Sequence, residues 1–406
     1  MNVSSIHDCF GCGVCAMACG KKIIDIRLNK EGFYEPFITS MKECVGCGLC
    51  VEVCSYSHND IALKNTSIAS YGAWSEDAQV RQKCSSGGVG FELGKAAVSQ
   101  GHKVCGVRYN PAKNQAEHYI ASDIDELIPS IGSKYIQSYT ADGFKSIDRK
   151  QKYLVAGTPC QMDSFRRYIQ KFHCEDNFVL LDFFCHGIPS KWMWDKYVAM
   201  QEKKIGKLIY ASWRNKLGYG WRDSYSIGLD GSEKHKTAVT WYNDYDKDIR
   251  ERETYILSRM SQKDLFYVLF LGDYCLGKAC YDKCRFKYDK SSADIRIGDA
   301  WGSHYQEDEK GVSAAIAFTE KGHELLKKSK CVMEPLPFEV VAEGQMKECA
   351  KRNPITKKVM DALMQEETTI EDIFHILARH HRKKTIIDKV RHPMHTLLSI
   401  LNRNTK

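Results

Sequence analysis

The chain has no apolar run near the roughly 20 residues that a helix needs to span a bilayer. Its first residues, MNVSSIHDCF, also lack the basic segment and apolar stretch of a secretory signal peptide. These two absences predict a protein without a transmembrane segment that resides in the cytoplasm. The composition, 43% hydrophobic and 27% charged over 406 residues, is typical of a globular protein with a sizeable core and appended modules.

A nucleic-acid partner is not predicted either. The chain lacks an interleaved aromatic and basic platform, because its basic residues are scattered. The formal net charge of +8 counts every cysteine as neutral. Each [4Fe–4S] centre held by four thiolates carries about −2 when oxidised, so two or three centres would cancel most of this excess.

Cysteine is the residue in excess, with 18 in the chain. Cytosolic thiols stay reduced, so a high cysteine content there indicates metal binding rather than disulfides. Residues 9–19 and 44–54 both read C-x2-C-x2-C-x3-C, the spacing of bacterial two-cluster ferredoxins. A pair of zinc sites is the alternative, which this doubled spacing disfavours.

The repeat predicts how the cysteines divide between two [4Fe–4S] clusters. Three thiolates two residues apart bind three corners of one cubane, and the fourth cysteine of each run reaches the other cluster. The first predicted set is Cys9, Cys12, Cys15 and Cys54, and the second is Cys44, Cys47, Cys50 and Cys19. The proline that usually follows the fourth cysteine is replaced by Gly20 and Ser55, which leaves the ligands in place.

Between the two runs, IIDIRLNKEGFYEPFIT alternates apolar and polar residues around Gly32, which predicts a hairpin. The polar residues that follow show little periodicity, and we interpret residues 61–80 as a linker. At Ser85 the segment SSGGVGFELGKAAVSQG predicts a glycine loop that enters a helix. Such a loop offers free amides to a phosphate, although a tight helix start without a ligand is the plainer interpretation.

The middle of the chain alternates strands and helices, which predicts an α/β sheet. Strand-like pieces occur at HKVCGVRY, AEHYIAS, YLVA and NFVLLDFF. The YLVA strand runs into Gly157, Thr158 and Cys160 and then a helix, a junction at which α/β sheets bind ligands. Lys134 in GSKYIQS faces either solvent or a ligand.

A third metal signal comes from Cys275, Cys280 and Cys284. They supply at most three local ligands, so a fourth would come from Cys160 or Cys185, both of which we expect at strand ends. Ordinary buried thiols are the alternative, since cysteine is often buried as a small hydrophobe.

Two further features are open to more than one interpretation. Arg214 and Arg222, in SWRNKLGYGWRDS, are candidates for binding an anionic substrate, or they are surface arginines. The C-terminal residues, with ARHHRKKTIIDKVRHP, predict a basic helix. A solvated helix is the plain interpretation of this tail, and a membrane-surface or partner-docking helix is the alternative.

Seven motifs in order resemble the beta-subunit family of coenzyme F420 hydrogenases and dehydrogenases over roughly residues 80–330. They are SSGGVGFELGKAAVSQG, GSKYIQS, VAGTPCQ, FFCHGIPS, SWRNKLGYGW, CYDKCRF and ADIRIGDAWG. The ferredoxin-type module in front is a fusion common among bacterial relatives.

The resemblance implies an iron–sulfur flavoprotein with FAD and a further [4Fe–4S] cluster. On the family pattern the third cluster uses Cys160, Cys185, Cys280 and Cys284. Three residues separate Cys280 from Cys284 where two are usual, so Cys275 is the alternate ligand. The residues that the resemblance implies as FAD contacts are Ser86, Gly87, Gly88, Lys134, Gly157 and Thr158.

The predicted fold class is a mixed α/β flavin-binding core, with an N-terminal two-cluster ferredoxin-like domain and a basic helical C-terminal tail. We expect a ferredoxin domain at residues 1–60 and a linker at 61–80. The flavin-binding domain follows in two parts, 81–175 and 176–345, and the C-terminal tail covers 346–406. The second part of the flavin-binding domain carries the third-cluster cysteines.

The predicted function is an oxidoreductase. A ferredoxin-like donor would supply electrons, which pass through the clusters to FAD and on to a small two-electron acceptor. The resemblance leaves that acceptor open between the deazaflavin coenzyme and another compound, and some relatives occur in surface-polysaccharide pathways. The alternative is an electron-transfer subunit without flavin in a larger oxidoreductase, and an oligomer is compatible with both.

Overall fold

The computed structural model describes residues 2–216, 218–231, 235, 237–244 and 246–391. Helices and strands are numbered separately, α1–α15 and β1–β14, in chain order. The expected mixed α/β architecture is present, with one large sheet and an N-terminal ferredoxin-like region. The last part of the predicted basic tail, residues 392–406, lies outside the described residues.

The N-terminal region is built on the cysteine repeat. A short helix follows each cysteine loop, α1 at Val14–Ala18 and α2 at Leu49–Glu52. Between them lies the predicted hairpin, with β1 at Ile24–Leu28 antiparallel to β2 at Tyr34–Ile38. Gly32, near the end of the connecting turn, has a φ of +81°, a conformation that glycine adopts at little cost.

The segment expected to be a linker contains a strand. Residues Ala69–Ser75 form β3, which lies inside the large sheet between β13 at Ser313–Ala317 and β14 at Cys331–Pro335. Its sequence, ASYGAWS, has little apolar periodicity. The strand is fixed by pairing on both edges with distant parts of the chain, and no local sequence signal reports such long-range pairing.

The large sheet has nine strands in the order β14-β3-β13-β12-β8-β7-β4-β5-β6. Strands β4, β7, β8 and β12 are mutually parallel neighbours at its centre. The remaining strands of this sheet are β4 Lys103–Asn110, β5 Gln115–Ala121, β6 Ser138–Tyr139, β7 Tyr153–Ala156, β8 Phe178–Phe183, β12 Ile295–Asp299, β13 Ser313–Ala317 and β14 Cys331–Pro335. The HKVCGVRY, AEHYIAS, YLVA and NFVLLDFF predictions are thereby confirmed.

A fully buried ion pair fixes the register of β8 and β12. Arg296 and Asp182 are cross-strand partners, and two guanidinium nitrogens of the arginine donate to the two carboxylate oxygens at 2.7 Å each. Neither side chain is exposed. Asp182 lies one residue before the carboxyl end of β8 and Arg296 is the second residue of β12, so the pair ties the end of β8 to the start of β12.

Helices connect and cover the strands. The predicted helix after the Ser85 loop is α4, and the helix after the Gly157 junction is α7. In chain order from residue 78 the helices are α3 Ala78–Lys83, α4 Val89–Ser99, α5 Ile124–Leu127, α6 Ala141–Lys145, α7 Pro159–Lys171, α8 Lys191–Ile205, α9 Lys247–Arg250, α10 Leu265–Leu271, α11 Lys278–Asp282, α12 Glu320–Lys328, α13 Phe338–Val341, α14 Thr356–Leu363 and α15 Ile370–Arg391.

A second, three-stranded sheet lies in the chain between α8 and α10. It consists of β9 Tyr210–Trp213, β10 Ser226–Asp230 and β11 Tyr255–Arg259, in the order β11-β10-β9. Its residues share the largest apolar core with α8, α10 and α15, where Trp194 and Trp213 pack at 4.8 Å between ring centroids. This core anchors the later half of the chain against the sheet.

Candidate functional site

The first predicted cysteine set comes together around one small cavity. Cys9, Cys12, Cys15 and Cys54 all line it. Burial, together with the neighbouring thiol of Cys54, raises the pKa of the Cys12 thiol to about 12. The amide of Gly11 donates to the sulfur of Cys9 at 3.4 Å, the type of amide contact that stabilises a cluster thiolate. Four converging thiols with amide donors fit a [4Fe–4S] cluster.

The second predicted set lies closer to the surface. The pKa of Cys50 is raised by burial and, more weakly, by the neighbouring thiols of Cys19 and Cys47. The side-chain amide of Asn2 donates to the sulfur of Cys44 at 3.3 Å. Cys47 is exposed. This set again consists of neighbouring thiols with an amide donor, so it also fits a [4Fe–4S] cluster.

The cysteines that the family pattern implies for a third cluster also lie near one another. Burial raises the pKa of Cys280 to about 12, with contributions from the thiols of Cys185 and Cys284. The pKa of Cys160 is raised by burial and by the thiols of Cys185 and Cys280. Cys185 follows β8 by two residues, but Cys160 lies in the first turn of α7 rather than at a strand end as expected. The set fits one further [4Fe–4S] cluster.

Cys275, the alternate ligand, is placed differently. It is fully buried in the largest apolar core, and its carbonyl accepts a hydrogen bond from the amide of Ser190 at 2.9 Å.

The three cysteine sets form a connected series. Burial is the main cause of the raised pKa of Cys15 in the first set. The thiol of Cys50, from the second set, makes a smaller contribution to it. The thiol of Cys12 does the same for Cys160 in the third set. The ring of Phe10 packs in one apolar cluster with Cys160 and Cys284. The order in space is therefore second, first, third.

Next to the third set lies a cavity of about 460 Å³, within the range of cofactor pockets. Ala156, Cys185 and Asp299, at or beyond the carboxyl ends of three parallel strands, all line it, which is where open α/β sheets bind ligands. Phe183 also lines it and remains 39% exposed there, although it belongs to a buried strand. The cavity therefore has an apolar floor beside a cysteine of the third set.

Five of the six residues implied as FAD contacts line this cavity: Ser86, Gly88, Lys134, Gly157 and Thr158. The helix α4 begins at Val89, directly after Gly88, and the amides of its first turn have no partner within the helix. The amide of Ser133 donates to the hydroxyl of Ser85 at 2.9 Å, which ties the Lys134 loop to the glycine loop.

Gly87, the sixth residue, does not line the cavity. Its amide donates to the hydroxyl of Ser313 at 3.0 Å, and its carbonyl accepts from the amide of Ser75 at 2.7 Å. A Cβ at this position would meet the backbone oxygen of Ala73. Gly87 therefore allows the loop to lie against the sheet, and its neighbours face the cavity.

The ammonium of Lys134 lies beside the same loop. It donates to the carbonyls of Pro129, Ile131 and Gly132 at 3.1, 2.8 and 3.1 Å. Burial lowers its pKa to about 7. A positive charge held by uncharged carbonyls, at the wall of a cavity and near a helix N-terminus, is suited to an anionic ligand group.

The two candidate arginines lie outside the cavity wall. Arg214 is 2% exposed and makes a bidentate pair with Asp299 at 2.6 and 3.0 Å. Its guanidinium also lies 4.8 Å from the ring centroids of Tyr225 and Trp301, which do line the cavity. Arg222 donates to the carbonyl of Trp301 at 2.9 Å. Both arginines thus support wall residues from behind.

The structure adds wall residues that the sequence reasoning missed, among them Tyr135, His186, Tyr225, Asp299 and Trp301. His186 follows Cys185, and Asp299 with Trp301 lies in the ADIRIGDAWG motif. For His186 the available signal was its position just beyond the predicted NFVLLDFF strand, and for Asp299 and Trp301 it was the ADIRIGDAWG motif itself. Tyr225 had none, because the second sheet brings it to the cavity from a different part of the chain.

Comparisons with known proteins match two parts of the chain. Residues 150–334 match the family model for the C terminus of the coenzyme F420 hydrogenase/dehydrogenase beta subunit, and residues 8–57 match the 4Fe-4S dicluster domain. The chain is thus a fusion of a 4Fe-4S dicluster domain with a region of the coenzyme F420 hydrogenase/dehydrogenase beta-subunit family. It is an iron–sulfur protein related to the coenzyme F420 hydrogenase/dehydrogenase beta subunit.

One solved structure is similar at 17% sequence identity and a TM-score of 0.43, across 81% of this chain and 96% of the other. It is a chain of the F420-reducing [NiFe] hydrogenase complex from Methanosarcina barkeri. No curated protein sequence matches the chain. None of the helices in the described part of the chain is long and apolar enough to cross a membrane.

Proposed function

We propose that the protein is a cytoplasmic iron–sulfur flavoenzyme that passes electrons from a ferredoxin-like donor to a small two-electron acceptor. The observation that supports this most is the shared position of Cys185, which belongs to the third cysteine set and also lines the cavity. With the first set adjoining Cys160, the three sets lead stepwise to that cavity.

The cavity suits FAD by the chemistry of its wall. The N-terminus of α4, the amide-rich glycine loop and Lys134 offer donors and positive charge to a diphosphate. Phe183 and Trp301 offer apolar surface to a planar ring. When bound, iron–sulfur clusters move single electrons and FAD exchanges one or two, so their contact would couple cluster transfer to hydride chemistry.

Side chains of this protein exclude water between the first and third cysteine sets and hold the wall of the cavity in position. The ring of Phe10 packs edge-to-face against Tyr56 and Phe286, at 5.6 and 5.8 Å between centroids, so water is displaced where the first and third sets adjoin. Arg214 holds Asp299 and the rings of Tyr225 and Trp301 in position. In this proposal Arg214 and Arg222 are positioning residues for the acceptor side of the cavity.

For the two-electron acceptor we propose a class of small organic molecules and not one compound. The deazaflavin coenzyme named in the family description is one candidate. Another organic acceptor, including one in surface-polysaccharide biosynthesis, is the other. Both must reach the flavin through the same cavity, and reoxidation of the reduced flavin by a panel of acceptors distinguishes them.

The test begins with protein purified under anaerobic conditions. We expect a visible spectrum with both cluster and flavin absorption, and FAD released on denaturation. A folded, iron-loaded protein that contains no flavin, and gains none on incubation with FAD or FMN, would overturn the enzyme proposal.

The second candidate is an electron-transfer subunit that carries clusters but no flavin and docks to a larger oxidoreductase. The description of the matched family as a beta subunit favours this alternative. Copurification of a stable larger complex, together with absence of flavin from this chain, would support it.

A further inference from the structure

The two cysteine loops of the internal repeat have opposite surroundings. In the first loop, Phe10 is 9% exposed and Gly11 and Gly13 are buried. A Cβ on Gly11 would meet the side chain of Gln137, and one on Gly13 would meet Thr140. The glycines of the first loop are therefore covered by the two residues that flank β6 of the large sheet, Gln137 and Thr140.

The second loop is uncovered at the equivalent positions. Val45, which corresponds to Phe10, is 67% exposed, and Met41 just before it is 54% exposed. A Cβ on Gly46 or Gly48 would meet nothing within 4 Å. The chain therefore covers only the first of these two chemically equivalent loops.

The surroundings of the second loop are also positively charged. Lys42 precedes Cys44 by two residues, and Lys21 and Lys22 directly follow Cys19 and Gly20; all three lysines are exposed. The same two segments, 19–22 and 41–48, contain one carboxylate, that of Glu43. Exposed cations around an apolar centre favour an encounter with an acidic protein surface.

We propose that the second cysteine loop, residues 41–48, is the docking surface for an acidic one-electron carrier protein, and that electrons are received at the second cluster. This inference rests on the clusters of the proposed function but not on its flavin. At each encounter the reduced carrier loses one electron and the cluster bound by the second cysteine set gains it. No bond is made or broken and no proton moves.

The spatial order of the cysteine sets supports this direction. Helix α1, which contains Cys15 of the first set, packs against α2, which contains Cys50 of the second set, and against α7, which contains Cys160 of the third. The exposed loop is consequently at the end of the series that is opposite to the cavity. A carrier that docks there delivers its electron without competing with an acceptor for the cavity.

The test compares Val45→Glu and Lys42→Glu with the wild-type protein in stopped-flow reduction. The probe is a reduced acidic two-cluster ferredoxin, and bleaching of the visible absorption reports the rate. We expect each variant to lower the second-order rate constant about tenfold at low salt, and the Lys42→Glu effect to shrink at high salt. Iron content and reduction by dithionite, which needs no docking, should stay at wild-type values.

Val332→Glu is the matched control, because Val332 is 42% exposed on β14, outside both loops. Wild-type rates in both loop variants would overturn the proposal, as would equal rates with a basic carrier protein. A dimer that dissociates in Val45→Glu would also overturn it, since the loop would then bind a second copy. If ferredoxin reduces the clusters but the protein binds no flavin, this inference stands and the enzyme proposal fails.

Discussion

The hydroxyl of Ser164 lies 3.2 Å from the sulfur of Cys12 and also accepts the backbone amide of Ser55 at 2.9 Å. Ser164 is fully buried on α7 of the large domain, whereas Cys12 and Ser55 belong to the N-terminal cluster region. One side chain therefore joins the first cysteine set to the helix whose first turn contains Cys160 of the third set.

Replacing Ser164 with alanine should alter the first cluster. A hydroxyl that donates to a bound thiolate favours the more negative, reduced state, so its loss lowers the reduction potential by an amount on the order of tens of millivolts. The amide of Ser55 also loses its acceptor, which costs about 1–3 kcal/mol of stability. Potentiometric titration and thermal unfolding measure the two effects, with Ser99→Ala, remote from the cysteine sets, as the control. An unchanged potential would contradict the hydrogen bond.

Iron content tests the third cysteine set. Wild-type protein should contain about 12 iron atoms per chain, the sum of three four-iron clusters. Cys284→Ser should lose about four of them and retain the two N-terminal clusters. Cys275→Ser is the matched control, because burial and Asp273, but no thiol of the third set, raise the pKa of Cys275, and the iron content of this variant should not change even if stability falls. Equal iron content in both variants would show that Cys284 is not a ligand.

Flavin binding is best tested from inside the cavity. Gly87→Val should lose flavin, but a side chain there meets the backbone of Ala73, so the variant should also unfold at a lower temperature. Ala156→Phe instead fills the cavity at the end of β7. We expect at least about tenfold weaker FAD binding by fluorescence titration with full iron content. Ala78→Phe, at an exposed alanine, is the control, and wild-type affinity in Ala156→Phe would place the flavin elsewhere.

The pH dependence of FAD binding should follow Lys134. Burial lowers its pKa to about 7, so the flavin-free protein loses this positive charge as the pH rises through 7. A bound diphosphate favours the protonated form, hence the dissociation constant for FAD should be lowest below pH 7 and rise above it. Lys134→Met should bind more weakly at pH 6 and lose most of this dependence. The exposed Lys145→Met is the control. A wild-type pH profile in Lys134→Met would show that another group binds the phosphate.

The sequence by itself determined the parts of this protein whose physics is local. A cluster loop requires cysteines within a few residues of one another, so the repeat from Cys9 to Cys54 predicted both N-terminal sets. The hairpin at Gly32 and the glycine-to-helix junctions at Gly88 and Gly157 follow from short-range periodicity and turn chemistry. The hairpin and the two helices are present where the patterns placed them.

The tertiary structure alone decided what depends on long-range packing. Residues Ala69–Ser75 carry no strand pattern, and they form β3 only because β13 and β14 pair with both of their edges. Spacing left Cys275 and Cys284 as rival ligands; in the structure the thiol of Cys284 adds to the raised pKa of Cys280, whereas no thiol is among the groups that raise the pKa of Cys275. Gly87 and Gly88 are adjacent in sequence, but the sheet fixes one against Ala73 and leaves the other at the cavity. The two cysteine loops are nearly identical in sequence, and only tertiary packing distinguishes them: Tyr56 and Phe286 bury Phe10, whereas the equivalent Val45 stays exposed.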